Sequence, residues 1–222
     1  MSHVSAIVAI DGPSGSGKST AARLTAQRLG FGYLDTGAMY RGVAVACLRD
    51  LVDQNDAAAI ASRTRTVVLD ISTDPDDQRL FVDGVDATAA IREPRVSAWV
   101  SAVSTNAESR AELVRRQREI VADGRFVVEG RDITTVVCPE AAVRVLLVAD
   151  PVRRMARRAA ELGNGVDSTA LHDQVIRRDR DDSRLVNFTD AAPGVTVIDS
   201  TDLTIEEVVR RIVELAREAG LA

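Results

Sequence analysis

The stretch Gly12-Pro13-Ser14-Gly15-Ser16-Gly17-Lys18-Ser19 constrains the fold of this chain more than any other. It follows an apolar run at residues 4–10, precedes a helix-like segment, and matches the phosphate-loop pattern G-x-x-x-x-G-K-[ST]. The pattern works as a turn between a strand and a helix. Glycines let successive backbone N–H groups converge on an anion at the helix N-terminus, where the helix dipole adds to the attraction. The expectation is an α/β chain in which Gly12, Pro13, Ser14, Gly15, Ser16, Gly17, Lys18, Ser19 and Thr20 hold the phosphates of a nucleoside triphosphate. Lys18 is expected to reach the β and γ phosphates, and Ser19 to place its hydroxyl directly on Mg2+.

Composition supports this placement, because Lys18 is the single lysine among 28 basic residues. A chain that otherwise uses arginine keeps a compact ammonium where space is tight. The net charge of −5 gives no overall basic footprint for a nucleic-acid polymer or an anionic membrane, so any anion site is local. Cys47 and Cys138 read as small core residues in a reducing compartment. No run approaches a membrane span, and a cytoplasmic monomer is expected.

Further apolar runs at 31–34, 126–128, 143–148 and 195–198 alternate with helical stretches, the signature of a parallel sheet buried on both faces. One helix follows Lys18 and another follows Thr36. A last helix begins near Thr204, where Thr204 and Glu207 form a capping box and Ile205, Val208, Val209, Ile212, Val213 and Ala216 share a face. Between 66 and 91 two strand-like runs, 67–71 and 79–82, flank the turn-rich Thr73-Asp74-Pro75-Asp76-Asp77, a hairpin-like insertion. After Pro94, the residues Val96, Trp99, Val100, Val103, Ala107, Ala111 and Val114 recur at the spacing of one helix.

Glu129 ends the run 126–128 and is the candidate for ordering the waters of the magnesium ion. Arginines cluster at Arg131, at Arg153, Arg154, Arg157 and Arg158, and at Arg177, Arg178, Arg180 and Arg184. Like charges one helical turn apart repel, and a polyphosphate between them relieves the repulsion; solvated ion-pair ladders are the alternative. On a continued helix Arg177, Asp181 and Arg184 share a face, which suits a ligand with both a phosphate and a hydrogen-bonding base.

Four blocks together carry a family resemblance: Ile10-Asp11-Gly12-Pro13-Ser14-Gly15-Ser16-Gly17-Lys18-Ser19, Leu34-Asp35-Thr36-Gly37-Ala38-Met39-Tyr40-Arg41, Glu129-Gly130-Arg131-Asp132, and Val136-Val137 with Pro139. Over nearly its full length the chain resembles the bacterial cytidylate kinases, of the nucleoside monophosphate kinase group. The resemblance implies phosphoryl transfer from ATP to CMP or dCMP, and a P-loop kinase fold. That fold has a central five-stranded parallel sheet with helices on both faces, a small inserted antiparallel β cap that binds the monophosphate, and a helical lid. In this single domain the core spans about 1–62, 95–152 and 185–222, the insertion about 63–94, and the lid about 153–184.

By match to the family's motifs, Thr36, Ser101, Arg110, Asp132, Arg177 and Asp181 touch the acceptor nucleotide. Arg41, Arg131 and Arg184 hold phosphate, and Arg154, Arg157 and Arg158 of the lid clamp the transferring group. The chain departs from the pattern at Thr134, where glycine is usual. It departs again in Arg178-Asp179-Arg180-Asp181-Asp182-Ser183-Arg184, one residue short of the usual spacing, so that Arg178 with Asp182 is the alternative to Arg177 with Asp181. Two other functions remain open on sequence alone: a kinase for another small acceptor, and an ATP-binding switch or module without kinase turnover.

Overall fold

The computed structural model describes residues 6–122, 124–162 and 191–222, without the side chains of Arg158, Glu161 and Leu162. Among the described residues, five parallel strands form the central sheet: β1 (Ile7–Asp11), β2 (Gly32–Asp35), β6 (Phe126–Gly130), β7 (Val143–Val148) and β8 (Thr196–Asp199). Their order is β2-β6-β1-β7-β8. Alternate side chains of each inner strand enter opposite cores, which explains why the strands read as continuous apolar runs. Ile7, Ala9, Leu34 and Val128 pack on one face, against helices α2 (Thr36–Arg49), α4 (Pro94–Ser104) and α5 (Ala107–Val121). Val8, Ile10, Tyr33, Val127, Val145 and Leu147 pack on the other, against α1 (Lys18–Leu29) and α7 (Ile205–Glu218). Helix α1 buries only Ala21, Ala22, Thr25 and Ala26, so it lies close to the sheet. The Thr204–Glu207 capping box opens α7 as expected, with the Glu207 N–H donating to Thr204 Oγ1 at 3.2 Å and the Thr204 N–H donating to Glu207 Oε2 at 2.8 Å.

Helix α3 (Ala57–Thr66) precedes a separate antiparallel sheet of β3 (Leu69–Ile71), β4 (Leu80–Val82) and β5 (Val85–Asp86). The hairpin expected from sequence thus has a third strand. Val82 pairs with Val85 across Asp83-Gly84, whose φ values of 52° and 76° form the left-handed two-residue turn that Asp-Gly favours.

The single helix expected after Pro94 is in fact two, α4 and α5. Ser104, Thr105 and Asn106 interrupt it, because their short polar side chains bond the local backbone. Thr105 Oγ1 donates to the Ser101 carbonyl at 2.7 Å, and Asn106 Oδ1 accepts from the Ser109 N–H at 3.0 Å as the N-cap of α5.

Helix α5 is held to α3 by Arg116, whose guanidinium donates to the carbonyls of Thr64, Arg65 and Val67 and to Glu112. Hydrogen bonds from Arg115 and then Arg116 pull the Glu112 carboxyl from 4.5 down to about 2. Folding therefore favours the ionised form. The contribution of Glu112 to stability is complete above pH 4.5 and is lost as the pH falls toward 2. The Tm gap between the wild type and Glu112→Gln is expected to be constant near neutrality and to close across that acid window. A gap that persists at the acid end contradicts this account.

Candidate active site

The phosphate loop lies between the central strand and α1, and its glycines are set by its surroundings. Gly15 has φ 75°, and a Cβ there would lie 2.4 Å from the Arg154 carbonyl. Gly17 has φ 87° at the start of α1, with no side-chain cap and no acidic residue in the first turn. The first N–H groups of α1 have no intrahelical acceptor, an arrangement that suits an anion such as a phosphate.

Strand β6 brings Glu129 beside this loop, in register with Ile10 of β1 and Asp35 of β2. Glu129 is 2% exposed. Ser19 Oγ donates to its Oε1 at 2.6 Å, and the buried Tyr33 hydroxyl donates to the same oxygen at 3.3 Å. Lys18 Nζ stands 3.9 Å from Oε2. Burial pushes the Glu129 carboxyl above the usual carboxylate range, the charge on Asp35 adds to the shift, and Lys18 opposes it. A serine hydroxyl and one carboxylate are hard oxygen donors, few in number. They fit Mg2+, which keeps most of its own waters.

Across the cleft Asp132, 5% exposed, pairs with Arg110 of α5 at 2.5 Å, a charge-assisted contact in which the carboxylate accepts from Nη2. Arg110 also donates to the Ser104 carbonyl at 3.4 Å. Arg131 and Arg41 line the same cleft. The first half of α2 faces it, capped by Asp35, whose Oδ1 accepts from the Ala38 N–H at 2.9 Å. One cavity therefore joins Ser14, Gly15, Gly17, Lys18, Ser19 and Thr20 to Thr36, Arg41, Arg110, Glu129, Arg131 and Asp132. The phosphate loop and an arginine-rich wall share it.

Comparison with known proteins places the chain in a family. The family model described as Cytidylate kinase matches residues 8–218. The chain belongs to the cytidylate kinase family. Proteins named Cytidylate kinase from Cutibacterium acnes and Mycobacterium avium are 50% and 42% identical to it; the first alignment covers 97% of both chains, the second 96% of this one and 95% of the relative. A solved structure of an uncharacterized protein from Eubacterium ventriosum is 13% identical, covers 95% of this chain and 98% of its own, and superposes with a TM-score of 0.52, a likeness of fold.

Not every residue matched to the cytidylate kinase motifs meets the cavity in the same way. Thr36 is buried and its hydroxyl donates to the Glu129 carbonyl at 2.8 Å, against Gly130. Val100 and Ser104 of α4 line the cavity, whereas Ser101 does not; its carbonyl closes the end of α4. Gly12, Pro13 and Ser16 do not line the cavity; they frame the loop, with the Ser16 N–H donating to the Pro13 carbonyl at 3.3 Å. Helix α6 (Pro151–Leu162) lies against that frame, where Arg154 Nη1 donates to the Ser14 carbonyl at 3.0 Å. Arg157 donates to both the hydroxyl and the carbonyl of Ser200, and the Ser200 hydroxyl donates to the Ser16 carbonyl at 3.0 Å. The Arg158 side chain and Arg177, Asp181 and Arg184 lie outside the described residues.

Sequence reasoning passed over Asp35, Tyr40, Val100 and Ser104 as lining residues, and Ser200 as a support of the loop. Asp35 carried a signal, an Asp between an apolar strand and a helix, which is the N-cap pattern. Ser200 carried none, because its partners are distant in sequence. Cys47 and Cys138 are free and buried, and burial pushes both thiols up to about 11, so they remain protonated core residues.

Proposed function

We propose that this chain transfers the γ-phosphoryl group of ATP to CMP or dCMP, giving ADP and CDP or dCDP. The observation that carries the reading is the single cleft in which Lys18 and Ser19 face Arg41, Arg131 and the Arg110–Asp132 pair, in a member of the cytidylate kinase family. The backbone N–H groups of the loop from Gly12 to Thr20, which Pro13 lacks, and the Lys18 ammonium bind the triphosphate. Arg41, Arg131 and Arg184 hold the acceptor phosphate. Thr36, Arg110, Asp132, Arg177 and Asp181 bind the rest of the acceptor; Ser101, matched by motif, lies off the cavity lining and reaches the acceptor only if α4 shifts on closure.

An acceptor phosphate is already an anion, so in-line attack on the γ-phosphorus needs no general base and no covalent protein intermediate. Asp132 acts through its pairing with Arg110 as a substrate ligand. Charge on the equatorial oxygens is met by Lys18 and Arg131, with Arg154, Arg157 and Arg158 closing from the lid. Ser19 directly, and Glu129 through water, would hold Mg2+, which supplies further charge neutralisation when bound. The insertion at about 63–94 and the lid at about 153–184 close over a core of about 1–62, 95–152 and 185–222, excluding water as a competing acceptor. No helix among the described residues is long and apolar enough to cross a membrane; a cytoplasmic monomer acting on small nucleotides is the accompanying proposal.

The test is a coupled ADP-release assay with ATP and Mg2+, offering CMP, dCMP, UMP, AMP and shikimate in parallel. Fast release with CMP and dCMP is expected. Equal or faster release with a non-cytidine acceptor overturns the acceptor assignment. Tight ATP binding without acceptor-dependent release identifies a binding module instead.

A further inference from the structure

Asp11 ends β1, one residue before the phosphate loop, and is 3% exposed. Its carboxylate reaches 122 residues along the chain to accept from the Ile133 N–H on Oδ1 at 2.8 Å. Oδ2 accepts from the Thr134 N–H at 2.8 Å and from the Thr134 hydroxyl at 2.6 Å. Residues Ile133–Val137 form one wide turn of π-helical pitch, closed by Val137 N–H to the Asp132 carbonyl at 3.1 Å and by Cys138 N–H to the Ile133 carbonyl at 2.8 Å. The opening N–H groups of such a turn have no acceptor within it. An aspartate at the position before the turn ordinarily supplies one by folding its side chain back. Asp132 occupies that position and makes no such bond; its carboxylate faces Arg110 instead.

We infer that Asp11 is a positioning residue that caps this turn in place of Asp132, and so frees the Asp132 carboxylate for Arg110 and the acceptor nucleotide. Thr134 strengthens the arrangement with a third donor, its side-chain hydroxyl. One buried carboxylate thereby fixes the acceptor segment Arg131-Asp132 relative to the strand that carries the phosphate loop. When the cap is removed, Asp132 turns back onto its own helix end and the acceptor loses a ligand, while the triphosphate seat keeps its residues. The inference rests on the (d)CMP kinase reading for its kinetic consequence, though not for the cap itself.

The experiment compares wild type, Asp11→Asn, Thr134→Val and Thr134→Ser. In Asp11→Asn the amide presents a donor to at least one of these N–H or O–H groups, and the KM for CMP is expected to rise about tenfold with the KM for ATP within about twofold of wild type. Thr134→Val is expected to raise the KM for CMP about threefold, and Thr134→Ser, which keeps the hydroxyl, to restore it. Should Asp11→Asn fail to fold, the Thr134 pair decides. Equal rises in both KM values, a change in Tm alone, or identical behaviour of the valine and serine variants overturns the positioning role. Amide hydrogen exchange in nucleotide-free wild type reads the cap without turnover: Ile133 and Thr134 should be protected, and rapid exchange there overturns the cap. A wild type inactive on CMP with both amides protected would overturn the acceptor reading and leave the cap standing.

Discussion

Lys18→Ala is expected to lower kcat about a thousandfold while raising the KM for ATP far less, because in the proposed mechanism the ammonium meets charge that grows as the γ-phosphoryl group moves. Ground-state binding survives on the backbone N–H groups of the loop, which the substitution leaves in place. Lys18 also stands 3.9 Å from the buried Glu129, so its removal takes a countercharge from a carboxyl that burial already disfavours in ionised form. Lys18→Arg is not expected to restore activity. The guanidinium is wider and planar, and the side chain it would replace is 15% exposed within a tight loop. Acceptor-dependent ADP release, followed for both variants alongside Tm, checks this; wild-type turnover in Lys18→Ala refutes the proposed roles of the loop.

Asp132→Ala is expected to raise the KM for CMP about a hundredfold, with the KM for ATP nearly unchanged. The carboxylate is almost fully buried and paired with Arg110, which is only 22% exposed in its side chain. Truncation therefore removes a proposed acceptor ligand and also leaves a half-buried guanidinium without the Asp132 countercharge, a loss larger than that of the contact alone. Steady-state kinetics with each substrate varied in turn separates the two seats. A parallel loss for ATP and CMP would place Asp132 outside the acceptor seat.

Which parts of this fold and site are legible in the sequence follows from the range of the interactions that set them. The strands were legible because burial on both sheet faces demands unbroken apolar runs: residues 143–148 read as a strand and form β7. The opening of α7 was legible because its capping box closes within four residues. Lys18, Ser19 and Glu129 were legible because a strand-loop-helix and a strand end each declare themselves locally, and they meet as expected. The break between α4 and α5 was hidden because apolar spacing continues across it, and only the Asn106 cap reveals it. Strand β5 is two residues long and carries no periodicity; its sole sign was Asp83-Gly84. The bonds from Asp11 to Thr134 and from Ser200 to Ser16 span 123 and 184 residues, and no local pattern encodes such pairings.

Those long spans bear on how the protein is made. The phosphate loop occupies residues 12–20, yet β1 before it pairs with β6 and β7 beyond residue 125, and the loop's rear support at Ser16 is a serine 184 positions away. Non-local pairings of this kind form late, after the intervening chain has been closed into place. The loop is thus completed only after chain more than a hundred residues further on has been made and folded back. Until then Lys18 and its glycines stand without the Glu129 strand beside them or α6 behind them. Nucleotide can stabilise only the assembled state, so ATP acts on this chain as a late ligand that rewards finished molecules and leaves truncated ones to proteolysis.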